Sequence, residues 1–262
     1  MPIRISSGDR KMENVRQLVR LIQERGFGPG DKLPSERDMS EMFGMSRGAL
    51  REALIRLDTL RIVDARPKSG IFLRADSTET SIEAMVLFAE VDTPLSPDEV
   101  IQSVELRRLL EVQAVRLACE RRTDADLSKL SATLKRSIEA RGDGEALAAL
   151  DAEFHLAIVS ATQNDVFVRF VNVFYLMSKK RREVYFSSDD HCRKSVADHR
   201  KLLAAIAARN IEEAETIIRQ HVKGVDVYFR TLFATQHNEE RGADKLSATS
   251  RKRKRAATRA LA

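Results

Sequence analysis

At 262 residues, with 43% apolar and 32% charged side chains, the chain can bury sizeable cores unaided, and two domains fit its length better than one. Cys119 and Cys192 lie far apart without zinc-finger spacing, MPIRISSGDRKMENV has no apolar signal core, and no stretch approaches the ~18 apolar residues of a membrane span, so a soluble cytoplasmic protein with no membrane partner is expected. The net charge of +6 divides into +4 over residues 1–76 (15 cations against 11 acids), −3 over 77–236 (22 against 25) and +5 over 237–262 (8 against 3), which points a polyanion at the ends rather than the middle.

Taken in chain order, residues 1–75 read as helix, helix, helix, hairpin. Val15, Leu18, Val19 and Ile22 mark one apolar face, and Gly26 with Gly28-Pro29-Gly30 ends that helix. Ser35 reads as an N-cap, with Asp38 placed as in a capping box and Met39, Met42 and Phe43 on the apolar side. Ser46 caps a third helix carrying Ala49, Leu50, Ala53, Leu54 and Leu57, so only Gly44 and Met45 separate helices two and three, as in a helix-turn-helix. Two short strands, 62–66 and 71–74, flank the turn Pro67-Lys68-Ser69-Gly70 and form a basic wing. Residues 76–80 read as a linker. From 81 to 236 the period is helical throughout, giving about seven helices near 81–90, 98–121, 124–141, 144–162, 164–187, 190–208 and 211–235. The segment 237–262, with Arg251-Lys252-Arg253-Lys254-Arg255, is too polar to pack and reads as a disordered basic tail. The expected fold is mainly α: a winged helix-turn-helix over 1–75 and an all-α domain over 81–236.

On the third helix Arg47 adjoins the N-cap, and Arg51 follows four residues later on the same face. The N-terminal residues of a recognition helix meet base edges, where an arginine can bond guanine at two acceptors. Arg37, on the helix before, is within reach of the same groove or its phosphates.

The stretch PGDKLPSERDMSEMFGMSRGALREALIRLDTLRIVDARPKSGIFL, residues 29–73, resembles the winged helix-turn-helix of GntR-type bacterial transcription regulators. That resemblance implies that Arg37, the Ser46–Arg47 pair and Arg51 contact DNA and that Gly70 sits at a wing tip entering the minor groove. The sequence departs from many relatives in one respect: Gly-Ile-Phe-Leu stands where they have Gly-Thr-Phe-Val, which keeps the glycine and removes a hydroxyl.

In the C-terminal part Asp151 and His155 are four residues apart, hence on one helix face. His199 falls in the stripe Val196, His199, Leu203, Ile206, and His221 in the stripe Ala214, Ile217, His221, Val225. One inward histidine is ordinarily a satisfied core residue. Three on separate helices, with a carboxylate, are either a buried hydrogen-bonded cluster or the donor set of a first-row divalent metal.

The segments VELRRLLEVQAVRLA (104–118), DAEFHLAIVSATQND (151–165), DHRKLLAAIAARNIEEA (198–214) and IIRQHV (217–222) resemble the all-helical FCD ligand-binding domain of FadR-like GntR regulators. The resemblance implies one divalent transition metal (Zn, Ni or Mn type) per chain on Asp151, His155, His199 and His221. It also implies that Arg107 binds an effector carboxylate, a role its parallel donors suit.

The function expected is a DNA-binding transcription regulator, a repressor, that acts as a homodimer on an inverted-repeat operator and is released by a small organic acid bound at the metal. The rival is a metal-dependent hydrolase-like enzyme with an accessory DNA-binding domain. A general base beside the metal would favour it, but Glu153, two residues from Asp151, points away on a helix.

Overall fold

A computed structural model describes the backbone of residues 7–91 and 95–260 and the side chains of 10–76, 78–91 and 95–236. The chain separates into two units, residues 1–94 with 172–181, and residues 95–171 with 182–262.

The first unit is built on α1 (Ser7–Glu24), α2 (Glu36–Phe43), α3 (Arg47–Thr59), β1 (Val63–Arg66), β2 (Gly70–Leu73) and α4 (Ile82–Glu90). The α1 stripe Val15, Leu18, Val19 and Ile22 is buried together with Met39, Phe43, Leu50, Ala53, Leu54 and Leu57. Each large side chain removed from water contributes roughly 1.5–3 kcal/mol. Met42, expected on the apolar side of α2, is 38% exposed, because the packed face of this short helix runs through Met39 and Phe43, one turn apart.

Ser35 and Ser46 cap α2 and α3, their hydroxyl oxygens accepting from the Asp38 and Ala49 amides at 3.2 Å. Each cap is worth about 1 kcal/mol. At Ser35 the capping box is half formed, since Asp38 accepts from the Ser35 hydroxyl at 2.7 Å. Gly44 supplies the left-handed residue (φ +64°) on which α2 ends, and the chain re-enters helix at Arg47.

The wing is an antiparallel pair with Val63 opposite Leu73 and Arg66 opposite Gly70. The segment before α2 runs along β2, where the Leu33 amide donates to Ile71 O at 2.8 Å and the Leu73 amide donates to Asp31 O at 2.9 Å. The expected strands 62–66 and 71–74 thus shift by one residue at three of their four ends.

The sequence placed residues 81–90 in the helical domain. In the structure Ala84, Leu87 and Val91 join the N-terminal core, and Arg16 of α1 holds Glu90 at 2.8 Å. The apolar face of α4 has found α1 rather than the bundle, so the linker expected at 76–80 lies inside the first unit.

The second unit contains α5 (Pro97–Arg121), α6 (Asp124–Glu139), α7 (Gly144–Ser160), α10 (Asp189–Ala207) and α11 (Ile211–Ala260), together with parts of α8 (Asp165–Met177) and α9 (Lys179–Tyr185). Helix α5 packs on α11 and α7, α6 on α7 and α10, and α10 on α11. Ser96 and Thr123 open α5 and α6 with complete capping boxes. The single helix expected over 164–187 is two, broken at Ser178, where the apolar run of α8 gives way to Lys179-Lys180-Arg181-Arg182. The expected stop near 235 is also overrun: α11 continues as backbone helix to Ala260. Residues 236–241 contain no proline or glycine, and the tail is rich in Ala, Lys, Arg and Glu, all good helix formers. The side chains of 237–262 lie outside the described residues.

Candidate functional site

In the first unit the candidate DNA-contacting arginines are exposed. Arg37 and Arg51 lie at 3.6 Å and 3.8 Å from Asp38 and Glu36, long, exposed pairs that water screens and that hold the arginines only weakly. Arg47, the first residue of α3, is exposed and has no ion-pair partner among the described residues. Ser46 spends its oxygen lone pair on the Ala49 amide and keeps its hydroxyl proton for another acceptor. Gly70, expected at the wing tip, is the first residue of β2 instead, and Lys68 (φ +64°) forms the apex of the turn. The glycine is required by its φ of +120°, which side chains rarely adopt; a Cβ there would also sit 2.7 Å from Lys32 Cε, the flexible end of a side chain that can move aside. Arg66 lies over the Phe72 ring at 4.5 Å and stiffens the same hairpin.

In the second unit α7 presents Asp151 and His155 one turn apart, α10 presents His199 and α11 presents His221, all four buried. Their nearest ligand atoms fall within 4.8 Å of one another. His155 Nε2 lies 3.2 Å from His199 Nε2 and 3.3 Å from His221 Nε2. Asp151 Oδ1 is 3.6, 3.4 and 4.0 Å from the Nε2 atoms of His155, His199 and His221.

The outward nitrogens explain that convergence. Glu111 Oε2 is 2.5 Å from His155 Nδ1, and Asp198 Oδ2 is 3.4 Å from His221 Nδ1. Asp198 accepts the Nδ1 proton of His221, and the Glu111 charge beside His155 Nδ1 favours the proton there, which in both rings turns the Nε2 lone pair inward. Three acceptor nitrogens and a carboxylate oxygen facing one another repel unless a cation or protons lie among them. Ser195 and Arg107 supply donors at the edge: Ser195 donates to Asp151 Oδ1 at 3.2 Å, and Arg107 Nη2 lies 3.1 Å from His155 Nε2. Phe154 stacks on His199, centroids 4.2 Å apart, and fixes its ring plane.

Three of the four protonation preferences suit a metal's donor set, and that of His155 runs the other way, so an ion binding there has to displace a proton. Burial works to raise the Asp151 pKa, but the charge and hydrogen bonds of His155 and His199 outweigh it and hold the carboxyl well below its usual range. Burial pushes His199 down to about 4 and lowers His221 as well. For His155 burial is overcome by Glu111 and Asp151, which raise it.

Arg107, the expected effector contact, stands at the rim of this cluster with 4% exposure. Its Nε donates to Glu111 Oε1 at 2.6 Å, and Nη2 lies 4.0 Å from Asp151 Oδ2. Glu153, the acid that a hydrolytic site would need, turns away to accept from Arg136 at 2.7 Å and from Thr133 at 3.0 Å.

Sequence reasoning missed Glu111, Ser195 and Asp198. Glu111 and Ser195 stand four residues from Arg107 and His199, so a search for i, i+4 polar partners on the same helix face would have found both. Asp198 is the chain neighbour of His199 yet serves His221 on another helix, and no local signal marks it.

Residues 13–73 match the family of bacterial regulatory proteins known as the gntR family, and residues 102–224 match the FCD domain. The chain is 30% identical over 214 residues to the HTH-type transcriptional regulator LutR of Bacillus subtilis, covering 79% of this chain and 94% of that one. It is 25% identical over 226 residues to the HTH-type transcriptional repressor NanR of Edwardsiella tarda, with 86% of each chain covered. The solved structure of Lar, which controls expression of the Listeria monocytogenes agr system, shares the fold with a TM-score of 0.64, 20% identity and coverage of 85% of this chain and 97% of that one. No helix among the described residues is long and apolar enough to cross a membrane.

Proposed function

The chain belongs to the gntR family of bacterial regulatory proteins and is a DNA-binding transcription regulator rather than an enzyme; from that premise we propose that it is a cytoplasmic homodimeric repressor released from an inverted-repeat operator by a small organic acid. The winged unit reads DNA through Arg37, Ser46, Arg47 and Arg51, with Gly70 shaping the wing. The FCD unit senses the acid at Asp151, His155, His199 and His221.

The observation that carries the reading is the mutual approach of three buried Nε2 atoms and the Asp151 carboxylate. Three nitrogens and one oxygen fit a first-row divalent ion of the Zn, Ni or Mn type. When bound, such an ion supplies positive charge and coordination positions for oxygen donors. Glu111 and Asp198 hold two of the imidazoles in the ligating tautomer, Phe154 holds the third in plane, and Ser195 steadies Asp151.

Charge balance supports an anionic effector. Arg107, Glu111 and Asp151 are each at most 4% exposed. With neutral imidazoles they leave the buried set one negative charge, and one positive charge once a divalent ion is held. A single carboxylate then restores neutrality in a site where uncompensated charge is costly. Arg107 presents its guanidinium at the rim for that carboxylate. An acid that binds one dimer arrangement better than the other shifts the operator equilibrium by that difference alone.

Metal analysis of the purified full chain tests the reading. About one ion per chain is expected, lost in the double variant His199→Ala, His221→Ala. Organic acids are expected to raise the thermal midpoint only of the ion-loaded protein. A wild type that is metal-free and still responds to acids would overturn it.

A further inference from the structure

The packed part of α11 is held by one stripe, in which Ala214, Ile218, His221, Val222, Val225 and Phe229 are buried. Phe233 extends it by stacking on Phe229, centroids 6.0 Å apart, and residues 234–236 are exposed. The helix nevertheless continues to Ala260. Between 237 and 262 only Leu246 and Leu261 are apolar and larger than alanine, so this stretch has almost nothing to bury.

Charge changes along the same helix. Residues 211–236 carry three cations and four acids, a net −1. There Arg219 pairs with Glu215 at 3.3 Å and Arg230 with Asp226 at 3.0 Å, each one turn away. Residues 245–262 carry seven cations and no acid, a net +7, and five of the cations are consecutive, from Arg251 to Arg255. The nearest acid in the sequence, Asp244, precedes Arg251 by seven residues, outside the i, i+4 spacing used upstream. Within the run like charges recur at that spacing instead, Arg251 with Lys254 and Arg255, which costs the helix stability unless an anion neutralises them.

The density of charge fits one polyanion well. On a helix the run places one positive charge about every 1.5 Å, and duplex DNA carries one negative charge per about 1.7 Å of its axis. The chain is a DNA-binding regulator, so its winged unit already brings a duplex to the molecule. An anionic bilayer fits less well, because residues 237–262 contain no Trp, Tyr, Phe, Ile, Val or Met to sink into an interface.

We infer that the 245–262 segment of α11 is a second, sequence-independent DNA contact, in which Arg251, Lys252, Arg253, Lys254 and Arg255 neutralise phosphates of the duplex. It adds affinity and salt sensitivity and no base choice, since phosphate contacts carry no sequence information. The inference rests on membership of the gntR family alone and is independent of the metal and the acid. A contact made by charge tolerates exchange of arginine for lysine and is lost with glutamine, which keeps the helix propensity.

The test measures affinity of the full chain for two short duplexes, one of random sequence and one selected by the wild type from a random pool, between about 50 and 200 mM salt. One variant combines Arg251→Gln, Lys252→Gln, Arg253→Gln, Lys254→Gln and Arg255→Gln. It is expected to bind the random duplex about tenfold or more weakly at the lower salt, with the slope of log affinity against log salt reduced by about 4 or more for both duplexes. The ratio of the two affinities is expected to stay as in wild type. Arg251→Lys, Arg253→Lys and Arg255→Lys together are expected to keep the wild-type slope, and thermal midpoints report that both variants are folded. A wild-type slope in the glutamine variant overturns the inference; a lowered midpoint beside it would place the run against the chain's own acidic helices. A collapsed ratio also overturns it, because the run would then be reading bases. So would vesicles of phosphatidylglycerol that strip the wild type, but not the glutamine variant, from the random duplex, since the run would then serve an anionic membrane.

Discussion

Glu111 and His155 meet inside the helical unit with Oε2 2.5 Å from Nδ1, while the other oxygen of the same carboxylate accepts from Arg107 Nε at 2.6 Å. One buried carboxylate therefore lays its charge against a candidate ligand and seats the candidate effector contact. Glu111→Gln keeps the shape and removes the charge. It is expected to weaken metal affinity by 10- to 100-fold, the usual cost of losing an outer carboxylate on a ligating histidine. Competition with a chromophoric chelator measures this, and unchanged affinity would show that Glu111 serves packing alone.

Arg47 opens α3 without an ion-pair partner among the described residues, whereas Arg51 and Arg37 each sit near an acid. Arg47→Ala is expected to cost about 1–3 kcal/mol of operator affinity and to relax base choice at one position. Binding-site selection with randomised DNA reads both effects at once. A variant that selects the wild-type sequence with wild-type affinity would assign Arg47 to the solvated surface.

Gly144 begins α7 beneath the end of α9. A Cβ there would lie 2.4 Å from the Phe186 carbonyl oxygen, a backbone atom that cannot swing aside. Gly144→Ala is expected to destabilise the helical unit by about 1–3 kcal/mol, as overpacking does, despite alanine's better helix propensity. Chemical denaturation would expose an error here as a variant equal to or more stable than wild type.

Tyr185 gives a pH dependence whose sign is fixed. Burial raises its pKa to about 12 in the folded chain, against about 10 when unfolded. Its contribution to stability is complete below pH ~10 and is lost as pH climbs toward 12, because the unfolded chain releases the proton first. Tyr185→Phe cannot ionise and is expected to lose less stability than wild type between pH 9 and 11. Parallel alkaline loss in the two proteins would contradict the buried phenol.

Much of this was legible in the residues, and unevenly so. The winged domain carries its evidence locally: caps at Ser35 and Ser46, the break at Gly44 and the turn before Gly70 all act within a few residues. The four-residue set Asp151, His155, His199 and His221 was legible because helical period places each on a packed face, and burial of so many polar groups needs a common cause. What escaped was long-range. Whether α4 covers α1 or the bundle depends on which apolar face reaches it, and its own nine residues suit either. Asp198 meets His221 across two helices, and the hydroxyl of Tyr185 is positioned by His191 and Tyr228. These are tertiary facts that no short window holds.

The wing glycine has an evolutionary corollary. Lys32 crosses beneath Gly70 and reaches toward the Phe72 ring, 5.7 Å from its centroid. Any side chain at 70 would have to displace it as well as adopt a strained φ. Positions 32 and 70, although 38 residues apart in the sequence, thus carry unequal constraints: the lysine end can swing aside for a neighbour, whereas the backbone at 70 admits little but glycine, so variation in the wing is expected to be tolerated at 32 and resisted at 70.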